Sequence, residues 1–442
     1  MLLIGNGSMI TRDPAQPFLA DGCVAIDGDT IVAVGKTDEL KAKYPAARFS
    51  DAKGRVIMPG LINSHMHLYS TFARGMALKD ASPQNFVQIL ERLWWRLDKV
   101  LTTEDVYYSA LPVMIDCIKN GTTTIFDHHA SPAAVKNSLF TLAKAGKEIG
   151  LRGCYAYEVS DRDGQAVMEE GIRENMDFIN HANNGNDPML RGMFGLHASM
   201  TLSDETLRRC AAAKQNSNAG FHVHTAEALS DQEHSLETHG KRVVERFNEF
   251  GILGDKSIAV HCVHVNDAER QLLKESKTAV VHNPESNMGN AVGCSPVLSM
   301  LEQGILMGLG TDGYTSDMLE SYKVANILHK HQQADPGAAW GEIPTMLFEN
   351  NALIAAKYFP KPLGQLKPGA YGDVIVVDYQ PPTALSADNA NGHILFGMSG
   401  RGVVTTVVGG QVRMEERQLV GIDEAAICAE ARRLSAKVWE RF

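Results

Sequence analysis

The alternation of apolar and polar positions divides the chain into two terminal β-patterned segments, a long middle of mixed pattern and a final helix. Within residues 1–57, alternating runs at 22–27 and 30–35 flank Gly28-Asp29 and predict a hairpin. This segment has too few apolar residues to close a core, so it needs a partner sheet. The partner lies near the other end. Residues 372–378 read as a buried strand, and 403–408, Gly409-Gly410 and 411–413 as a second hairpin. The two ends are therefore predicted to build one small composite β-sandwich, from 1–57 and 366–423. Residues 424–442 follow as an amphipathic helix, with Ala425, Ile427, Leu434 and Val438 on its buried face.

The middle, 58–365, alternates short apolar runs with helical periods. Strands are expected at 61–67, 121–127, 151–158, 192–197, 220–226, 257–263, 278–283 and 306–311. Helical periodicity covers 104–120, 132–149, 204–215 and 241–250. Strands alternating with helices in this number predict an α/β fold, a (β/α)8 TIM-like barrel inserted between the sandwich segments. Such a barrel carries its chemistry at the carboxyl ends of its strands.

The first barrel strand sets the chemistry. An apolar run from Val56 to Ile62, interrupted by Pro59-Gly60, leads into Asn63-Ser64-His65-Met66-His67. On a strand, the two-residue spacing turns His65 and His67 to one face, where two imidazoles can grip one metal ion. Three later strand ends supply further ligands: Phe221 to Glu227 with His222 and His224, Ala259-Val260-His261-Cys262, and Gly308 to Gly313 with Asp312. Together they offer the His and carboxylate set of a catalytic metal site.

Composition narrows the partners. At a net charge of −10, the chain is not expected to bind nucleic acid or an anionic membrane. No apolar run approaches the roughly 20 residues of a membrane span, and no basic region precedes the apolar residues at the start, so the cytoplasm is the expected location. The seven cysteines form no C-x-x-C pair, which argues against a disulfide framework or a zinc knuckle. A homo-oligomer is compatible with all of this.

These motifs, together with Asp127-His128-His129-Ala130-Ser131-Pro132, Leu93-Trp94-Trp95-Arg96-Leu97-Asp98 and Gly310-Thr311-Asp312-Gly313, resemble the amidohydrolase superfamily. The likeness is to its branch of cytosine, guanine and 8-oxoguanine deaminases, and it covers essentially the whole chain. The composite sandwich is usual there. The resemblance implies that His65, His67, His224 and Asp312 hold the metal. His224 is preferred to His222 because the family ligand precedes the catalytic Glu, here Glu227, by three residues. Glu227 would transfer protons, His261 would polarise the attacking water, and Asp312 would accept the water's proton. The fourth strand holds no lysine that could bridge two metals, so one divalent metal is expected, zinc or iron(II).

His197 matches a substrate-facing histidine of that branch. Arg74, His128, Glu158 and Trp95 are further substrate-side candidates, with Trp94 and Asp161-Arg162 near them. The roles of His129, His222 and His264 stay open. The implied reaction is deamination of an amino-substituted N-heterocycle, such as a guanine-like oxidised purine or a pterin, with release of ammonia. The alternative is hydrolysis of a ring C–N bond in a cyclic amide at the same mononuclear centre. The full set of ligands argues against a non-catalytic scaffold.

Overall fold

A computed structural model describes residues 1–442. Strands β1 (Leu2–Ile10), β2 (Phe18–Asp27), β3 (Thr30–Lys36), β4 (Arg48–Asp51) and β5 (Val56–Pro59) form the first part of a terminal sheet. The expected hairpin joins β2 to β3, with Gly28 at φ 57° in its two-residue turn. β5 leaves the sheet at Gly60. A Cβ there would lie 2.3 Å from Thr123 Oγ1, so only glycine allows the strand to turn inward.

The chain then enters the barrel as β6 (Leu61–Met66), β7 (Thr122–His129), β8 (Arg152–Tyr157), β9 (Leu190–Gly192), β10 (Phe194–Ala198), β11 (Phe221–Thr225), β12 (Ile258–His261), β13 (Ala279–His282) and β14 (Met307–Leu309). β9 and β10 are one barrel strand broken at Met193. Hydrogen bonding gives two parallel sheets, β6-β7-β8-β9 and β10-β11-β12-β13-β14. Two seams close them. Val159 pairs with Leu196, and Met66 pairs with Asp312, where the Thr311 and Asp312 N–H groups both donate to His65 O at 3.0 Å. The (β/α)8 barrel expected from the sequence is therefore present.

Strand periodicity sorts the side chains. Ile62, Phe126, Cys154, Ala156, Met193, Val260 and Val281 fill the barrel interior. Their strand neighbours Leu61, Ile125, Tyr155, Ala259 and Val280 pack outward among the helices. Continued to the strand ends, the inward parity carries His128, Glu158, His197, His222 and His224 toward the barrel mouth.

β15 (Val374–Val377), β16 (Val403–Val408), β17 (Gln411–Glu415) and β18 (Gln418–Leu419) complete the terminal sheet. β15 runs antiparallel to β5, Val374 opposite Pro59 and Val377 opposite Val56, which unites the two ends of the chain. The composite arrangement is as expected. It is one continuous nine-stranded sheet with apolar clusters on both faces.

The helices depart from expectation in places. The segment read as 132–149 is a short 3-10 turn, Pro132–Ala134, followed by a helix Ser138–Ile149. Asn137, at φ 63°, breaks it. The helix expected at 241–250 spans only Val243–Glu249, and a helix Leu229–His239 was not foreseen. The final helix, Glu424–Arg441, packs on the helix Thr103–Lys119. It buries Ala431, Leu434 and Val438 but leaves Ala425 exposed. No helix is long and apolar enough to cross a membrane.

Candidate metal centre and active site

Three imidazoles meet at the barrel mouth, each with Nδ1 already engaged. His67 Nδ1 donates to the His128 carbonyl at 2.5 Å, and His224 Nδ1 donates to the His197 carbonyl at 3.0 Å. His65 Nδ1 lies 2.9 Å from His222 Nε2. The two carbonyls fix the protons of His67 and His224 on Nδ1 and turn their Nε2 lone pairs inward, and His222 holds the His65 ring in the same orientation. His67 Nε2 and His224 Nε2 then face each other at 3.2 Å. Two lone pairs at that distance repel unless a cation lies between them.

The donor set fits a metal. His65 Nε2 is buried without a partner, and His67 Nε2 lies 3.3 Å from Asp312 Oδ1. Tetrahedral ligands at about 2.0–2.1 Å from zinc stand about 3.3 Å apart. His65, His67 and Asp312 form one convergent group, and His65, His224 and His261 form another. Burial, then the neighbouring imidazoles, holds His65 well below the ordinary histidine range, so it stays neutral and able to ligate.

Asp312 is anchored on its other side. Ser286 Oγ donates to Oδ2 at 2.6 Å, and the Gly313 N–H donates to Oδ1 at 2.7 Å. Burial would raise this carboxyl, but His67 and His261, with these hydrogen bonds, hold it below its ordinary value. Glu227 is the opposite case. Burial, then the nearby Asp312, pushes it well above the usual carboxylate range. His261 stands between them, Nε2 at 3.4 Å from Glu227 Oε2 and 3.7 Å from Asp312 Oδ2. The Asn287 amide donates to His261 Nδ1 at 2.9 Å, which leaves the proton of the neutral ring on Nε2, facing both carboxyls. Ala226, His261 and Asp312 all have positive φ, so backbone strain gathers at these strand ends.

A cleft open to solvent lies above this centre. His67, His224, Glu227 and Asp312 form part of its floor, and Trp94 and Trp95 belong to the segment that covers it. His197, Glu158 and Trp95, expected on the substrate side, all line the cleft. Two other candidates lie outside the cleft lining. Arg74 is ion-paired with Asp116 at 3.1 Å and does not line the cleft, because it points along the outer helix layer. His128 is fully buried below the floor, its ring stacked on His222 at 4.5 Å, and does not reach the cleft.

The open histidines are also located. His222 is the partner of His65. His129 bonds Ser131 Oγ at 2.9 Å, and His264 bonds the Val292 carbonyl at 2.7 Å, so both serve loop structure. Ser286 and Asn287, at the start of the segment after β13, orient Asp312 and His261. Asp98, Asp231 and Asn290 on the cleft wall were missed. Asp98 alone carried a signal, as the last residue of the Leu93 to Asp98 motif.

The sequence matches the amidohydrolase family over residues 56–413 and an imidazolonepropionase-like composite domain of bacteria over residues 22–47. It is 31% identical to a 5-methylthioadenosine/S-adenosylhomocysteine deaminase of Pelotomaculum thermopropionicum, over 100% of this chain and 99% of that protein. It is also 31% identical, with the same coverage, to a 5'-deoxyadenosine deaminase of Methanosarcina mazei. An adenosine deaminase from Xanthomonas campestris with bound zinc has the same fold, at a TM-score of 0.87 and 23% identity over 99% of this chain and 98% of that one. The chain thus belongs to the amidohydrolase family, as a hydrolase of non-peptide C–N bonds.

Proposed function

We propose that this protein hydrolytically deaminates an adenine nucleoside, replacing the exocyclic amine by oxygen and releasing ammonia. The observation that carries the proposal is the convergence of Glu227, His261 and Asp312 beside three inward Nε2 atoms. The full-length relatives named for adenine nucleosides support that class over the guanine-like or pterin substrate expected from sequence.

His65, His67, His224 and Asp312 would hold one divalent metal, zinc before iron(II). Bound there, it would lower the pKa of a water molecule toward about 7. The protein's own groups do the rest. Asp312 is ionised and can take the water's proton. Burial favours the protonated form of Glu227, from which it can donate to the ring nitrogen beside the attacked carbon. His261 Nε2–H can donate to oxygen charge as it develops. Asp312 then returns its proton to the departing amine, the C–N bond breaks as ammonia leaves, and the proton of the added hydroxyl passes to the Glu227 carboxylate as the carbonyl forms, which restores the starting protonation.

The test is incubation of the zinc-loaded protein with 5'-deoxyadenosine. Stoichiometric ammonia and a product with an intact hypoxanthine ring are expected. A ring-opened acid without ammonia would overturn the proposal in favour of cyclic-amide hydrolysis.

A further inference from the structure

The cleft has walls of two kinds, and neither suits an anion. None of its 20 lining residues is lysine or arginine. Phe86, Leu90, Trp94, Met200 and Tyr314 give it an apolar side. The polar side carries several buried carboxyls beside a few neutral donors, among them Trp95 Nε1 and the Asn290 amide. Asp98 Oδ1 and Glu158 Oε1 are buried and lack partners. Asp231 already accepts from the Met200 and Ala226 N–H groups at 3.0 Å each, so it offers no free donor.

The arginines of the surrounding segments are tied elsewhere. Arg92 donates to the Ala81 carbonyl, Arg96 pairs with Asp80, and Arg74 pairs with Asp116. Arg162 comes nearest. It pairs with Asp98 Oδ2 at 2.8 Å, lies over the Trp95 ring at 5.1 Å and lines a separate small cavity with Glu158 and Asp163, not the cleft itself. Away from the metal centre on its floor, a phosphate or carboxylate entering the cleft would lose its water and find no cationic side chain to pair with.

We infer that this site selects adenine nucleosides whose 5' substituent carries no anionic group, and rejects those carrying a phosphate or a carboxylate. The inference rests on the deaminase reading. It separates the two substrates joined in one relative's name, favouring 5-methylthioadenosine over S-adenosylhomocysteine.

The experiment compares kcat/KM for ammonia release by the zinc-loaded protein with 5'-deoxyadenosine, 5-methylthioadenosine, S-adenosylhomocysteine and adenosine 5'-monophosphate. The first two should exceed the monophosphate by on the order of 10²-fold, because the penalty is an unpaired buried charge. Met200→Arg, which adds a cation to the apolar wall, should narrow that gap at least about tenfold, chiefly through KM. A monophosphate or S-adenosylhomocysteine rate equal to that of 5'-deoxyadenosine would overturn the inference and leave the deaminase reading standing. If no nucleoside releases ammonia, the deaminase reading falls. Titration of Trp94 and Trp95 fluorescence with 5'-deoxyadenosine and the monophosphate then decides the selectivity. Tighter binding of the uncharged nucleoside supports it, whereas equal binding, or binding of neither, overturns it.

Discussion

His65 Nδ1 lies 2.9 Å from His222 Nε2, so the histidine not chosen as a ligand holds the one that was. The distinction is measurable. His65→Ala removes a ligand and should abolish both bound metal and activity. His222→Ala removes only an orienting partner and should weaken metal affinity about 10- to 100-fold. A competition titration against a chelator reads both. Equal losses in the two variants would place His222 in the ligand set itself.

Glu227→Gln separates binding from chemistry. The amide keeps the size of the side chain and still hydrogen-bonds, but it cannot cycle a proton. Metal content and substrate affinity should be retained while turnover falls at least about 10²-fold. Wild-type turnover in this variant would assign the proton transfer to another group.

One metal per chain is expected. A carbamate bridge between two metals needs a lysine inside the barrel mouth, and no lysine lines the cleft. Lys144 lies over the Tyr107 ring in the outer helix layer, and Lys119 pairs with Glu424 at 2.7 Å. Elemental analysis should give a single equivalent, with reconstitution independent of bicarbonate. Two equivalents, with activity following the second, would defeat this assignment.

The parts of the site visible in the sequence share one property: each is a short motif at the end of an apolar run. His65, His67, His224, Glu227, His261 and Asp312 could be placed because strand periodicity and fold class fix where such ends lie. Residues fixed by distant partners were not legible. Arg74 follows the first metal motif closely, yet its partner is Asp116 on a helix that begins at Thr103. Asp98 enters the cleft only because its helix crosses the barrel mouth and meets Arg162. The break at Asn137 was hidden because the flanking residues keep a helical pattern.

The terminal sheet and the barrel share a buried ion pair. Arg152 Nη2 donates to Asp373 Oδ1 at 2.9 Å, and the Gly409 N–H donates to the same oxygen at 2.8 Å. Arg152 is fully buried and also stacks on Tyr371 at 4.0 Å. Asp373→Ala leaves a buried guanidinium and a buried N–H unmatched, so about 3–5 kcal/mol of stability should be lost. Asp373→Asn keeps an acceptor and should lose less. Urea denaturation measures both, and a loss below about 1 kcal/mol in the alanine variant would show that the pair is solvated.

Glu285 should make stability depend on pH in a direction opposite to that of most surface carboxylates. Its oxygens lack hydrogen bonds of good geometry, and the nearby Ser321 hydroxyl and its own backbone N–H offset its burial only in part. Burial, reinforced by Glu320 and Asp317, raises its carboxyl from 4.5 to about 7. The native state therefore holds this proton more tightly than the unfolded chain does. Below pH 4.5 both states are protonated and the group costs nothing. As pH rises toward 7 the unfolded chain ionises first, and stability falls by up to about 3 kcal/mol, with no further change above pH 7. Glu285→Gln removes the titration. The variant should match the wild type near pH 4.5 and exceed it at pH 8, the gap opening between those values. Denaturation curves at pH 4.5, 6 and 8 test this, and a gap that stays constant across the three would mean that Glu285 ionises as freely in the native protein as in the unfolded chain.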